Sequence, residues 1–158
     1  MNRLRIRPMH PTDRSAVVRI LDGSEPWQRL DYSSADWDRI FCPLPQGRDS
    51  YVAELDAQLA AIAVVRRNFL AGDYLELLAV APGVRRQGVG RHLLEYVEQT
   101  VFVRAKNLFA CVSDFNEQAR AFYRKLGYQE VGLIPDLLIA GSSEVLVRKT
   151  VGPARDGH

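Results

Sequence analysis

Residues 80–91 combine side chains and spacings suited to one kind of chemistry, the grip on an anion. Gly88 and Gly90 flank Val89 in a turn that also carries Arg85, Arg86, Gln87 and Arg91. The apolar run Tyr74–Val80 leads into this turn, and an amphipathic helix opens near Gly90. The first turn of a helix leaves backbone N–H groups without partners and concentrates the positive end of the helix dipole. Glycine lets a ligand approach that backbone closely, so the pattern predicts a site for a phosphorylated ligand. An ordinary tight turn would use the same glycines, but it would not need three neighbouring arginines.

Two other phosphate loops are excluded by residues. A P-loop ends its glycine pair in Lys-Ser or Lys-Thr, which is missing here. A dinucleotide loop needs a third glycine three residues after Gly90, where Leu93 stands. His10, His92 and His158 supply no triad, and His92 reads as a surface residue. Cys42 and Cys111 have neither CxxC nor Cys/His spacing, so no metal site and no disulfide framework is expected. Cys111 reads as a packing residue.

The elements that must position this turn follow from hydrophobic periodicity. An edge strand near Arg3–Arg7 precedes a helix with Pro11 and Asp13 in its first turn, stopped at Asp22-Gly23. Residues 24–45 are irregular and aromatic, with Trp27, Tyr32, Trp37 and Phe41; Ser33 or Ser34 could cap a short helix holding Trp37 and Ile40. Ser50–Leu55 and Leu59–Arg66 read as a hairpin, followed by the strand Tyr74–Val80. The next helix aligns Val89, Leu93, Val97 and Val101 on one face, with Glu95, Glu98 and Gln99 directed elsewhere. Leu108–Ser113 is a short strand, Asn116–Leu126 a helix ended by Gly127, and Tyr128–Ile134 and Glu144–Thr150 are the last two strands. This order predicts a mixed α/β domain around a central, partly antiparallel sheet.

A chain of 158 residues suits one domain, expected over 1–151, with 152–158 as a frayed tail. A net charge of +2, with arginines spread along the chain, argues against a general nucleic-acid binder. No segment is apolar for long enough to span a bilayer, so no membrane partner is expected. The amino terminus does not read as a signal peptide, and two lone thiols fit a cytoplasmic setting.

Arg85-Arg86-Gln87-Gly88-Val89-Gly90 resembles the [Gln/Arg]-x-x-Gly-x-[Gly/Ala] motif of the GNAT family of N-acetyltransferases. The flanking Val80-Ala81-Pro82 and Arg91-His92-Leu93-Leu94 are similar as well. A second family block resembles Asn116 to Tyr128, in family order and at a family-like separation. The resemblance extends from about Leu4 to Thr150 and is specific from Tyr74 to Tyr128. It implies a three-layer GNAT-like fold whose mostly antiparallel sheet splays between its fourth and fifth strands.

It also implies that acetyl-CoA binds in that splay as a co-substrate, with no metal. The pyrophosphate would sit on backbone N–H groups from Arg85 to Arg91. The pantetheine arm would pair with Leu78, Ala79 and Val80, with an N–H near Leu78 polarising the thioester carbonyl. Asn116 resembles the residue that hydrogen-bonds CoA, and it is also a good helix N-cap. Tyr123 resembles the tyrosine that protonates the departing thiolate; a core aromatic beside Phe122 is the alternative.

The reaction implied is direct transfer within a ternary complex, without an acyl-enzyme. An ammonium acceptor must first lose a proton, and Glu76 is the carboxylate within the fourth strand, with Asp73 in reserve. A solvent-facing side chain or a structural ion pair is the alternative for Glu76. Trp27, Tyr32, Trp37 and the loop Ile134–Ser143 are expected near the acceptor, or the aromatics simply anchor their helices. Asp31, Asp36 and Asp38 could draw in a cation or serve only as helix-start carboxylates. The partner is then a small-molecule or peptide amine, with a homodimer left open. A non-catalytic acetyl-CoA-binding sensor is the other function these residues allow.

Overall fold

A computed structural model describes residues 3–25, 27–41, 47–155 and 157; Cys42, Pro26 and Pro45 lie outside them. Seven strands, β1 (Leu4–Pro8), β2 (Arg48–Leu55), β3 (Gln58–Phe69), β4 (Gly72–Val80), β5 (Asn107–Ser113), β6 (Gln129–Pro135) and β7 (Ser143–Thr150), form one sheet. Their order is β1-β2-β3-β4-β5-β7-β6, antiparallel throughout except for the central β4–β5 pair. The helices are α1 (Arg14–Asp22), α2 (Trp27–Leu30), α3 (Ser34–Phe41), α4 (Val89–Val101) and α5 (Glu117–Lys125). Among the described residues, no helix is long and apolar enough to cross a membrane. The expected element order is therefore present, with α2 as one helical turn inside a stretch read as irregular.

Strand alternation sends apolar side chains to both faces, so the sheet needs a layer on each side. On one face Leu75, Ala110, Val112, Val145 and Val147 pack with Val89, Leu93, Leu94, Val97 and Val101 of α4 and with Tyr123 of α5. On the other, Val52, Ile62, Val64, Leu77 and Ala79 meet Val17, Ile20 and Leu21 of α1 and the rings of Trp27, Trp37 and Phe41. Leu93 is fully buried, and its replacement by Ala would cost about 2–5 kcal/mol through lost transfer energy and the cavity left behind.

The caps follow local chemistry. Ser33 and Asp36 cap α3 reciprocally: Ser33 N–H donates to Asp36 Oδ2 at 2.7 Å, and Asp36 N–H donates to Ser33 Oγ at 3.3 Å. Ala119 N–H donates to Asn116 Oδ1 at 3.1 Å at the start of α5. Gly127 takes φ +93° just beyond α5, a conformation that favours glycine.

One helix-face expectation is corrected. Glu95 and Gln99 are exposed, but Glu98 is only 8% exposed. Tyr128 Oη donates to its Oε2 at 3.0 Å and Lys149 Nζ to its Oε1 at 3.0 Å, so the buried carboxylate is fully partnered.

Candidate active site

The sheet opens at its centre. β4 and β5 pair only where Asp73, Tyr74 and Leu75 face Leu108, Phe109 and Ala110. The closed end of this V is pinned at Gly72, where a Cβ would land on the Asn107 carbonyl, and Asn107 Nδ2 donates to Ala71 O at 3.1 Å. Beyond Leu75 the strands separate, leaving the β5 side of residues 76–80 without a ladder. A bulge helps: Val64 faces Leu77 and Val65 faces Leu75, so Glu76 is the extra residue. Ala81 N–H donates to Ala60 O at 2.7 Å. By the alternation of an antiparallel ladder, Leu78 and Val80 therefore turn their N–H and C=O groups away from β3, into the gap.

The start of α4 lies beside that gap. Gly88, its N-cap, adopts φ +79° and has no side-chain cap, so the first N–H groups of the helix stay open. Gly90 is a close approach: a Cβ there would sit 3.1 Å from Val80 Cγ2 and 3.8 Å from the Phe122 ring. Arg86 is held at φ +67° in the turn. Arg85 folds back, its Nε donating to Val80 O and its Nη2 to Ser24 Oγ, both at 3.3 Å. Arg91 lies 3.9 Å from Glu95 on the helix surface, and exposed His92 has Nδ1 at 2.7 Å from Gly88 O. The donor set is therefore mainly backbone, with arginines at its rim, which suits a pyrophosphate.

A cavity of about 240 Å³ runs from this gap to the opposite face of the sheet. Leu78, Asn116, Ala119 and Tyr123 line one end; Trp27, Leu30, Tyr32, Leu137 and Leu138 line the other. Tyr123 is 7% exposed, and burial holds its phenol above the ordinary tyrosine range, with Cys111 adding to the shift. The group therefore keeps its proton at neutral pH, as a proton donor must. Cys111 is a half-buried free thiol that burial also pushes up, which suits packing rather than nucleophilic attack.

Glu76 lines the cavity, yet Arg48 engages both its oxygens: Nε to Oε2 at 2.8 Å and Nη2 to Oε1 at 3.0 Å. The structural ion pair is thus the arrangement present. Asp73 is corrected outright as a reserve base. It lies at the closed end of the V, buried, paired with Arg104 and accepting Asn68 N–H at 3.2 Å.

Trp27 and Tyr32 line the cavity, but Trp37 is core, its indole N–H donating to Asp22 Oδ1 at 3.0 Å. Asp36 serves the α3 cap and pairs with Arg39, while Asp38 pairs with Arg14; neither lines the cavity, nor does Asp31. Sequence reasoning missed Arg48, Glu144 and the Arg29–Phe115 contact. Glu144, on β7, is 5% exposed and lines the cavity; burial raises its carboxyl, Asp114 raises it further, and Ser113 opposes the shift. The Arg29 guanidinium of α2 stacks 4.0 Å over the Phe115 ring, beyond β5.

The family described as "Acetyltransferase (GNAT) family" matches residues 14–128. The chain belongs to this family. A peptidyl-lysine N-acetyltransferase, YjaB, of Salmonella typhimurium is 35% identical over 63 residues, 40% of this chain and 41% of that protein. The chain thus spans about two-fifths of that relative's length. The ribosomal-protein-S18-alanine N-acetyltransferase of Escherichia coli superposes with a TM-score of 0.81 at 22% identity, over 100% of this chain and 99% of the other. An aminoglycoside 6'-N-acetyltransferase complexed with coenzyme A also gives 0.81, at 19% identity over 96% and 99%. At these identities the structural likeness establishes the GNAT fold, with its sheet splayed between the fourth and fifth strands.

Proposed function

We propose that this GNAT chain is an acetyl-CoA-dependent N-acetyltransferase that moves an acetyl group to a primary amine by direct attack in a ternary complex. The observation that carries the reading is the opened β4–β5 pair beside the uncapped start of α4. In this proposal Arg85, Arg86, Gln87, Gly88, Val89, Gly90 and Arg91 hold the pyrophosphate, mainly through backbone N–H groups. Leu78, Ala79 and Val80 present strand backbone to the pantetheine arm, and Asn116 contributes a hydrogen bond beyond its cap. Acetyl-CoA supplies an activated acetyl group as its thioester.

The Leu78 N–H would stabilise the oxyanion, a donor typically worth about 2.7–4 kcal/mol in the transition state. Tyr123 Oη would protonate the departing sulfur. The acceptor enters from the face of Trp27, Tyr32, Leu137 and Leu138, which suits an amine carried on a partly apolar body, whether peptide or small molecule. The peptidyl-lysine activity named for the YjaB relative supports an amine acceptor of that kind.

Calorimetry with acetyl-CoA, CoA, ATP and NAD, followed by thiol release across a panel of amines, tests the proposal. Binding of acetyl-CoA and CoA with amine-dependent thiol release is expected. Absence of CoA affinity would sink it, and CoA binding without turnover of any amine would favour a sensor.

A further inference from the structure

We propose that Glu144 is the proton acceptor for the incoming amine, a role that rests on the acetyltransfer reading above. The sheet places it. Ala110, Val112, Val145 and Val147 all point into the core beneath α4 and α5. Residues of the opposite parity, Cys111 and Ser113 on β5 and Glu144 on β7, therefore project from the other face. Glu144 faces Ser113 across the β5–β7 ladder and Ile134 across the β6–β7 ladder. Its side chain thus opens into the cavity from the acceptor side, while Tyr123 reaches the same cavity from α5 on the donor side. Base and acid would then flank the reacting carbon from opposite faces, so a proton enters from the amine and another leaves with the sulfur.

The surroundings suit a base that is free to act. Tyr32, Tyr74, Glu76, Cys111, Ser113 and Asp114 are titratable or polar groups around it among the described residues, and Glu25, Asn116 and Tyr123 line the same cavity. Among the described residues no arginine or lysine pairs with it, whereas Glu76 in the same cavity is held by Arg48 at both oxygens. The Ser113 hydroxyl lies near enough to favour the charged form, yet it makes no hydrogen bond of normal geometry. A buried carboxylate without a cation is costly to ionise and takes up a proton more readily than an exposed one, which is what a base requires.

The step balances. Glu144 takes a proton from R–NH3⁺, and the freed amine attacks the acetyl carbonyl carbon to form the C–N bond. The C–S bond breaks, and Tyr123 gives its proton to the sulfur. Tyr123 is restored by the second proton on nitrogen, and Glu144 releases its own to solvent. The products are the amide, CoA thiol and one proton.

The test uses the full chain with acetyl-CoA and n-butylamine, spermidine, kanamycin and a lysine-containing peptide as acceptors, following kcat/KM against pH. Wild type should lose rate on the acid side as Glu144 protonates. Glu144→Gln should lower kcat/KM at about pH 7 by roughly 10²–10⁴-fold and abolish that limb, while the CoA Kd stays unchanged. Near-normal turnover with the acid limb intact in Glu144→Gln would overturn the proposal, as would loss of the limb in Glu76→Gln instead. If Glu144→Gln fails to fold, the carboxyl carbon of Glu144 can be titrated by NMR in wild type. A midpoint above the ordinary value of about 4.3, coincident with the acid limb, supports the role, and one at or below it refutes the role. A wild-type chain that binds CoA but turns over none of the amines removes the underlying reading, and the proposal with it.

Discussion

Arg48 holds Glu76 by two parallel hydrogen bonds, of 2.8 and 3.0 Å, across a strand pairing that neither residue shares directly. Arg48 begins β2, Glu76 is the bulged residue of β4, and β3 lies between them. Both side chains are largely buried, and the other cation near Glu76, Arg66, stands farther off at 3.9 Å. This bridge fixes the bulge that helps turn the β4 backbone toward the gap.

Arg48→Ala should therefore destabilise the fold by about 1–3 kcal/mol, because it removes both close hydrogen bonds and leaves the Glu76 carboxylate only the half-exposed Arg66, 3.9 Å away. Replacing both residues by apolar ones of similar volume should recover most of that loss. Urea unfolding of the single and double variants at about pH 7 measures the difference. A single variant as stable as wild type would mean that the bridge does not hold the bulge.

Gly90→Ala separates binding from folding. The added methyl presses on Val80 Cγ2 at 3.1 Å, so α4 must shift away from β4 by a few tenths of an ångström. Alanine gains about 1 kcal/mol of helix propensity over glycine, which offsets that contact. Melting should change little, while the displaced N–H groups should weaken CoA by about tenfold or more, worth about 1.4 kcal/mol. Calorimetry on the variant checks this, and unaltered affinity would remove the α4 start from the proposed pyrophosphate site.

Tyr123→Phe removes only the phenolic hydroxyl. If that group protonates the leaving sulfur, turnover falls about 10²-fold or more while CoA affinity holds. The buried ring keeps its contacts with Phe122 and Tyr128, at centroid separations of 5.3 and 5.2 Å, so the fold should persist. Unchanged turnover would return Tyr123 to the role of a core aromatic.

Much of this architecture was legible because its signals are local. The glycine turn, the Asn116 and Gly127 caps and the apolar faces of α4 and β5 are each set by residues a few positions apart. The misread positions depend on distant chain. Glu98 follows the buried Leu94 by one turn, so the helix period does point it inward. Its carboxylate made it read as a surface residue, and only Tyr128 and Lys149 make that burial tolerable. Glu144 is the second residue of β7, a strand whose valines define one face. Whether the other face meets solvent or a cavity depends on α2 and on the loop carrying Leu137 and Leu138. Glu76 looked like a base in an apolar strand because Arg48, 28 residues earlier, gives no local sign of reaching it.

Alkaline pH should loosen the fold at a definite point. Tyr74, Tyr123 and Tyr128 are all held above the ordinary tyrosine range, chiefly by burial; Cys111 adds to Tyr74 and Tyr123, and Glu98 to Tyr128. The folded state thus binds these protons more tightly than the unfolded chain. Their contribution is fully present below the unfolded value of about 10 and is lost as pH rises from there through the folded values. The urea midpoint should be insensitive to these groups up to about pH 9 and drop above about pH 10, together with the appearance of tyrosinate absorbance. Ionisation of all the tyrosines near pH 10 without unfolding would contradict the burial assigned to them.

The Arg29–Phe115 contact makes a prediction about the acceptor end alone. Arg29 belongs to α2, whose Trp27 and Leu30 line the cavity, and Phe115 lies just after β5, on the other arm of the V. The guanidinium over the ring therefore joins the two walls across the mouth of the site. At an exposed position such a contact is worth about 0.5–1 kcal/mol, enough to set how often the walls stand apart but too little to affect the core. Phe115→Ala should accordingly raise the KM for the amine by roughly two- to fivefold, with kcat, the CoA Kd and melting nearly unchanged. Steady-state kinetics with the amine varied at saturating acetyl-CoA measure this. Phe115→Tyr retains a ring beneath the guanidinium and should restore the wild-type KM, whereas equal loss in both variants would mean that the ring acts by bulk and the cation is incidental.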